Sequence, residues 1–195
     1  MELMQDLDTD LAALAEKVRR SLVEVHNGRR GQGAGTVWQS RGLVLTNAHV
    51  IGQGQIAVAL PDGRDLPARV LARDDRRDLA ALAIDAGDLP PIELGDSRAL
   101  RPGQWVMAIG HPWGVPGAAT AGIIIGSGSP LSEGPLPGPE AIIAGLHLRP
   151  GHSGGPLVDS MGRLVGINVM MHGPDVGVAI PVNVAKRFLR EALGA

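Results

Sequence analysis

The chain has 195 residues, enough for one domain or two small lobes with a buried core. Its net charge of -2 and isoelectric point near 6.3 give no basic footprint, so we expect no nucleic-acid partner and no anionic membrane surface as a partner. The lack of cysteine excludes disulfides and thiolate catalysis. The 28 glycines and 15 prolines indicate many turns between short elements, which is typical of an all-β protein.

The N-terminal segment, residues 1–20, predicts an amphipathic helix. Apolar residues recur at spacings of three and four, which places them on one helical face: Leu3, Leu7, Leu11, Leu14, Val18 and Leu22. We expect this face to pack on the rest of the domain, with self-association as the alternative.

The same segment also bears on the compartment of the protein. It carries acidic residues early and lacks the uninterrupted apolar run of a secretory signal. No stretch approaches the roughly 18 apolar residues of a membrane span. The sequence as written therefore predicts a cytoplasmic protein with no membrane span, whereas removal of an export segment would place the protein in the periplasm or outside the cell.

From Ser21 onward, short apolar segments alternate with turn residues. Twelve of them read as strands: SLVEV, GTVWQS, GLVLTNAHV, QIAVAL, LPARVLA, DLAALAI, QWVMAIG, TAGIIIG, AIIAGL, PLVD, LVGINVMM and GVAIP. This number is typical of a barrel or sandwich. Arg101-Pro102-Gly103 separates them into two groups of six, which predicts an N-terminal lobe over 21–100 and a C-terminal lobe over 101–195.

Turns, one loop and a closing helix complete the predicted elements. Residues 61–63 and 159–162 carry turn signals between apolar runs, and the Pro- and Gly-rich residues 127–140 predict a long loop. The closing segment VNVAKRFLREAL predicts a helix with Asn183 as its N-cap. Its predicted inner face is formed by Val184, Phe188 and Leu189.

Ser153 lies in a motif that two unrelated enzyme architectures share. Residues 151–155, GHSGG, fit the G-x-S-x-G elbow of α/β-hydrolases, but that fold requires a helix after the serine and an acid and a histidine later in the chain. Pro156 and a predicted hairpin follow instead, and His172 is the only later histidine. The α/β-hydrolase interpretation therefore fails on context.

The order histidine, aspartate, serine fits much better. His49 follows an apolar strand, Asp78 enters the next strand pattern, and Ser153 lies 75 residues further on. Each residue alone has an ordinary structural explanation, because there are six histidines and because Asp74 and Asp75 are alternatives to Asp78. Their joint occurrence in this order predicts a nucleophile, a base and an orienting acid.

The segments around these residues carry a family resemblance. GAGTVW, GLVLTNAHV, DLAALAI, LRPGQWVMAIGHPWG, TAGII, PGHSGGPLVD, GRLVGIN and GVAIPV occur in the order and spacing of the protease domain of HtrA-type (Deg) serine proteases. The chain resembles that domain from about Ser21 to Leu193. The resemblance implies an all-β, chymotrypsin-like double antiparallel β-barrel with an N-terminal and a C-terminal helix.

The resemblance also implies an activity. His49 would be the general base, Asp78 its orienter and Ser153 the nucleophile of an endopeptidase that cleaves unfolded or damaged polypeptides through an acyl-enzyme. It implies no cofactor and no metal. The backbone N–H groups of Gly151 and Ser153, with that of His152 nearby, would form the oxyanion hole.

The substrate pocket is implied in the same way. Its residues would be Leu148, Asn168, Val169, Met170 and Met171. Their apolar character, without an acid, implies small or medium aliphatic residues before the scissile bond. Residues 168–170 would also pair with the substrate backbone as an added strand.

Several features depart from the family pattern. His152 occupies a position that is usually asparagine, and Ala144-Gly145-Leu146 stands where relatives often have Thr-Asp-Ala. No PDZ domain follows in this sequence, and the N-terminal helix replaces the aromatic-rich segment through which many relatives trimerise, so a homo-oligomer is left open. Two alternatives follow from these departures: a weakly active or inactive protease-fold binding or chaperone module, and a metal site at His147, His152 and His172.

Overall fold

Two closed six-stranded barrels form the core of a computed structural model that describes residues 2–27, 33–52, 54–128 and 140–194. Every strand pair within the barrels is antiparallel. Barrel 1 comprises β1 (Leu22–His26), β2 (Gly33–Gln39), β3 (Leu43–Thr46), β4 (Ile56–Ala59), β5 (Asp65–Asp74) and β6 (Leu79–Ile84). Barrel 2 comprises β7 (Trp105–Gly110), β8 (Ala118–Ser127), β9 (Ile142–Gly145), β10 (Pro156–Asp159), β11 (Leu164–Met171) and β12 (Gly177–Pro181).

The double antiparallel barrel and its twelve predicted strands are confirmed. The strand order is β1-β2-β3-β6-β5-β4 in barrel 1 and β10-β11-β12-β9-β8-β7 in barrel 2. The predicted turns at 61–63 and 159–162 join β4 to β5 and β10 to β11. Many of the short apolar runs form strands between turn residues such as Gly, Pro, Asp or Ser, which favour reversal of the chain.

Buried apolar residues form three clusters that follow this architecture. One cluster fills barrel 1 and includes Val25, Val44 and Leu82. A second, which includes Ile142 and Leu157, fills barrel 2. The third contains residues from both barrels and both helices, so the barrels bury apolar surface against each other. A fixed cleft therefore lies between the barrels, and residues from both barrels can meet there.

The N-terminal helix, α1 (Glu2–Arg19), packs through its C-terminal half. Val18 is buried and Leu14 is half-buried, whereas the side chain of Leu7 is 47% exposed. Arg19 fixes this end by donating from Nε to the Gly117 carbonyl (2.8 Å). The predicted stripe is wrong at its last member, because Leu22 is the first residue of β1 rather than part of the helix. The side chain of Leu3 lies outside the described residues.

The closing helix, α2 (Val182–Leu193), presents the predicted inner face, since Val184, Phe188 and Leu189 are buried. Its predicted cap is wrong. The helix begins directly after Pro181, and Asn183 lies within its first turn. The Asn183 amide instead donates to Asp96 Oδ1 (2.6 Å).

Two remaining expectations concern the connections. Most of the predicted loop at 127–140 lies outside the described residues, and Ser127 itself belongs to β8. Barrel 1 ends at Ile84, and barrel 2 begins at Trp105. The linker between them is attached to barrel 2 by a hydrogen bond from the Gly95 N–H to the Leu164 carbonyl (2.9 Å). Within the described residues, neither helix is long and apolar enough to span a membrane.

Candidate active site

The loop that carries Ser153 is bonded to both barrels. The Ser153 carbonyl accepts the N–H of Ala34 in β2 (2.7 Å), and the N–H of Gly154 donates to the Asn168 carbonyl in β11 (2.9 Å). The hydroxyl of Thr36, also in β2, donates to the Gly154 carbonyl (3.3 Å). These bonds hold the serine in the cleft between the barrels.

The close contact between the serine loop and barrel 1 requires a glycine at position 154. Its φ is +83°, in the left-handed region that favours glycine. A Cβ there would overlap the Ala34 carbonyl oxygen and the Thr46 hydroxyl. The loop can therefore lie against barrel 1 only because this residue has no side chain.

The candidate base and acid, His49 and Asp78, are paired at the edge of barrel 1. His49 Nδ1 lies 2.8 Å from Asp78 Oδ2, and the His49 N–H donates to Asp78 Oδ1 (3.0 Å). The two contacts fix both the imidazole ring and its backbone. An Nδ1–H that donates to the carboxylate leaves the Nε2 lone pair of a neutral imidazole available as a base.

A residue that the sequence analysis did not select holds Asp78 in place. Asp78 has a φ of +52°, and its carbonyl accepts a hydrogen bond from the side-chain amide of the buried Asn47 (3.0 Å). An aspartate tolerates this left-handed conformation better than most residues. The signal available in the sequence was a polar residue inside the apolar run LTNAHV, two residues before His49.

The hydroxyl of Ser153 is directed toward barrel 2. Its Oγ donates to the Val169 carbonyl at 2.7 Å, rather than to His49. Val169 lies at a register shift in β11, between Asn168 and Met170. For proton transfer to His49, the hydroxyl must therefore rotate away from Val169.

Residues 149–152 form a tight turn directly before the serine. The His152 N–H donates to the Arg149 carbonyl (3.0 Å), and Gly151 has a φ of +105°. Pro150 and Gly151 thus occupy the central positions of a type II turn, where these residues are favoured. One expectation is corrected: the His152 N–H closes this turn and is not available to an oxyanion.

The turn is supported from the segment that follows β7. The His111 N–H donates to the Gly151 carbonyl (2.8 Å), which fixes the Gly151–His152 peptide. Two residues further on, the exposed Trp113 ring lies 5.6 Å from the guanidinium carbon of Arg149, within the range of a cation–π contact. Trp113 has a φ of +56°, which is uncommon for a bulky side chain.

The buried His152 and the half-buried His111 lie behind this turn. Burial lowers the pKa of His152, which is 3% exposed, and its neighbours His111 and His147 lower it further, while a bond with the Arg149 backbone raises it in part. Burial also lowers the pKa of His111, although the Glu24 carboxylate opposes this shift. Both imidazoles are therefore favoured in their neutral forms.

The predicted substrate residues differ in what they present to the cleft. Leu148 is 3% exposed within the core of barrel 2, and Val169 is 2% exposed. Met171 lies half-buried, with its sulfur 3.0 Å from the Leu148 nitrogen. The Met170 side chain lies outside the described residues.

Asn168 corrects the predicted strand pairing. Its N–H donates to the Gly155 carbonyl and its own carbonyl accepts the Gly154 N–H, both at 2.9 Å. Its side-chain amide donates to the Pro156 carbonyl (2.9 Å). The backbone of Asn168 is thus occupied in holding the serine loop and cannot pair with a substrate strand.

The alternative metal site receives no support. In the described part of the chain, no three histidine, aspartate or glutamate side chains are grouped so as to hold a metal ion. His147 Nδ1 is instead 2.6 Å from Asp175 Oδ1, and His152 Nδ1 contacts the Arg149 backbone. Two of the three candidate ligands thus have other partners.

Comparison with known proteins defines the class that these features share. Residues 33–167 match the family described as "Trypsin-like peptidase domain", and the chain belongs to this family. Solved structures similar to the chain are named as HtrA-type proteases. The solved structure named "HtrA-type protease AlgW with decapeptide" superposes with a TM-score of 0.87 and 28% identity, covering 94% of this chain and 67% of that one.

Two curated relatives show the same likeness in sequence. The "Probable periplasmic serine endoprotease DegP-like" of Marinomonas sp. (strain MWYL1) is 44% identical over 164 residues, covering 80% of this chain and 34% of the relative. The "Protease Do-like 1, chloroplastic" of Arabidopsis thaliana is 38% identical over 185 residues, covering 90% and 42%. The chain thus spans about a third to two-fifths of the length of these relatives.

Proposed function

We propose that this chain is a serine endopeptidase domain that cleaves unfolded or damaged polypeptides, with Ser153 as nucleophile, His49 as base and Asp78 as its orienter. The observation that carries the proposal is the His49–Asp78 pair, at 2.8 Å, on the barrel against which the serine loop is bonded. An imidazole oriented by a carboxylate is what a serine hydroxyl requires for deprotonation.

The first chemical step begins with rotation of the Ser153 hydroxyl from the Val169 carbonyl to His49 Nε2. A substrate backbone N–H can take over the Val169 carbonyl, which would release the hydroxyl. Oγ then bonds to the scissile carbonyl carbon as His49 accepts its proton, and the carbonyl electrons move onto oxygen. The N–H groups of Gly151 and Ser153 would stabilise that oxyanion.

Collapse of the intermediate breaks the peptide C–N bond. His49 returns its proton to the leaving amine, and an acyl-enzyme on Ser153 remains. Water then attacks the ester, with His49 again as base, and regenerates the hydroxyl. Asp78 stabilises the imidazolium in both halves of the reaction.

Substrate preference is proposed from the same cleft. Leu148, Val169 and Met171 are apolar, which supports small or medium aliphatic residues before the scissile bond. The AlgW structure, named with a decapeptide, supports a peptide as the class of ligand. Homo-oligomerisation of the chain stays a prediction.

Denatured casein tests the activity. We expect cleavage by the wild-type chain and none by Ser153→Ala. His26→Asn serves as a control, because His26 lies on barrel 1 and pairs with Asp65. Equal cleavage by the wild-type chain and Ser153→Ala would contradict the proposal.

The binding or chaperone module is a second candidate, favoured by one observation: the Ser153 hydroxyl is bonded to Val169 rather than to the base. The same experiment separates the two. Retention of denatured casein by the wild-type chain and Ser153→Ala alike, without cleavage by either, would support the module and contradict the peptidase.

The compartment of the whole protein is proposed from the relatives. Their names include "periplasmic" and "chloroplastic". These names support the exported location over the cytoplasmic one. Cell fractionation with an antibody against this domain tests the choice, and recovery with cytoplasmic markers would contradict export.

A further inference from the structure

The side chain of His152 makes a contact that the proposed reaction does not use directly. Its Nδ1 lies 3.0 Å from the backbone nitrogen of Arg149, the first residue of the turn 149–152. We propose that His152 is a positioning residue, whose Nδ1 accepts the Arg149 N–H and thereby holds the turn that presents the Gly151 N–H to the oxyanion. This inference rests on the proposed peptidase function and adds a role for the residue before the nucleophile.

The hydrogen-bond geometry defines the required form of the imidazole. A backbone N–H can only donate, so Nδ1 must carry a lone pair and the proton must be on Nε2. The Arg149 carbonyl, 3.2 Å from Nδ1, already accepts the His152 N–H, and among the described residues the Arg149 N–H makes no hydrogen bond other than the one to Nδ1. The neutral Nε2–H tautomer is thus the one that satisfies both backbone groups of Arg149.

Besides its own closing bond from the His152 N–H to the Arg149 carbonyl, the turn is held at two points, and the His152 side chain supplies one of them. The His111 N–H fixes the Gly151 carbonyl at 2.8 Å, and the His152 side chain fixes the Arg149 N–H. Between these points lies the Pro150–Gly151 peptide, whose N–H is the proposed oxyanion donor. Without the acceptor at Nδ1, this peptide loses one of its two anchors and can rotate.

A protonated imidazole cannot serve in this way, because Nδ1 would then be a donor facing the Arg149 N–H. The ionisable groups around it are Arg149 in the turn, His147 before it and His111 after β7. His147 is itself paired with Asp175. Burial lowers the pKa of His152, so the neutral form persists to mildly acidic pH and the turn loosens below it.

Two substitutions at this position distinguish the role of His152 as a hydrogen-bond acceptor from the effect of its protonation. His152→Asn keeps an oxygen that can accept the Arg149 N–H but does not titrate, whereas His152→Leu has no acceptor. With a fluorogenic peptide at pH 8, we expect His152→Leu to lose about 10- to 100-fold in kcat with little change in KM, because loss of one oxyanion donor typically costs about 10² to 10³. His152→Asn should recover most of the lost kcat.

The pH profile of kcat/KM provides a second test, because a purely structural role of His152 would not change that profile. In the wild-type chain, protonation of His152 should add a loss of about 10- to 100-fold to the acid limb set by the proposed base, so log(kcat/KM) should fall with a slope that exceeds 1 where His152 becomes protonated. His152→Asn should reduce this slope to about 1. His26→Asn, the matched change on barrel 1, should leave the slope unchanged.

Two results would overturn the inference: a wild-type kcat in folded His152→Leu, or the same acid limb in His152→Asn as in the wild-type chain. If His152→Leu fails to fold, the comparison of acid limbs still decides. A wild-type chain that hydrolyses no peptide would instead refute the proposed function. In that case, ¹⁵N NMR of the His152 ring still tests the contact, since a neutral ring protonated on Nδ1 would contradict it.

Discussion

At the scale of single residues, the candidate acid depends on an unusual backbone conformation. Asp78 has a φ of +52°, and its carbonyl is held by the buried amide of Asn47, while both carboxylate oxygens contact His49. Each of these contacts limits a different freedom of the residue. The orientation of the imidazole is thus set two residues before His49 as well as at Asp78.

Asp78→Asn tests this arrangement. The amide is nearly isosteric, so we expect the melting temperature to change little, but the ring loses its orienting anion and the wrong imidazole tautomer is favoured. In the serine-protease template, the same change lowers turnover by about 10⁴. Steady-state hydrolysis of a fluorogenic peptide measures the effect, and a loss smaller than about tenfold would contradict the assignment.

At the scale of elements, α1 has two unlike halves. Its C-terminal half is anchored by the buried Val18 and by the bond from Arg19 to Gly117, whereas Leu7 in the other half is 47% exposed. Helical periodicity in the sequence placed both residues on one face, because it reports the face and not how far the partner surface extends. The apolar stripe is therefore only partly used for packing within this chain.

Two alanine substitutions compare these halves. Val18→Ala should lower the free energy of unfolding by about 1–3 kcal/mol, because it removes buried methyl groups and leaves a cavity. Leu7→Ala should change it by less than about 0.5 kcal/mol, as expected for an exposed site. Urea denaturation of both variants measures the difference. Equal destabilisation would show that α1 does not pack as described.

At the scale of the whole molecule, the sequence predicted the regular architecture well and the long-range bonds poorly. All twelve strands could be predicted because apolar runs and turn residues are local signals. The predicted N-cap of α2 was wrong because Asn183 forms a hydrogen bond with Asp96, a partner 87 residues away. Such a contact leaves no trace in local spacing.

The candidate active site shows the same difference between what the sequence predicts and what it does not. The order of His49, Asp78 and Ser153 could be predicted from sequence because each lies in a recognisable segment. The direction of the His152 N–H and the occupied backbone of Asn168 could not, since both depend on how peptides rotate within a folded loop. Sequence therefore predicts which residues meet more readily than which atoms are free.

The buried His152 and the half-buried His111 make the stability of the whole molecule pH-dependent. The pKa values of His111 and His152 are lowered in the folded chain from an ordinary value of 6.5, so the unfolded chain binds protons first as the pH falls. Stability from these groups is complete above pH 6.5 and is lost as the pH falls toward their folded pKa values.

Urea titrations between pH 8 and pH 5 measure this effect. Each histidine contributes up to about 1.4 kcal/mol per pH unit to the slope. His152→Asn and His111→Asn should each reduce the slope, and His26→Asn serves as the control. A slope that is unchanged in both His152→Asn and His111→Asn would show that these imidazoles are not held neutral in the folded chain.

Covalent labelling of Ser153 tests the central claim most directly. A fluorophosphonate reacts with a serine hydroxyl only when a base activates it, so labelling requires the serine, His49 and the oxyanion turn to act together. Intact-mass and peptide mass spectrometry should find one adduct per wild-type chain, on Ser153, and none on Ser153→Ala. A folded wild-type chain that gains no adduct, or gains it on another residue, would contradict the account.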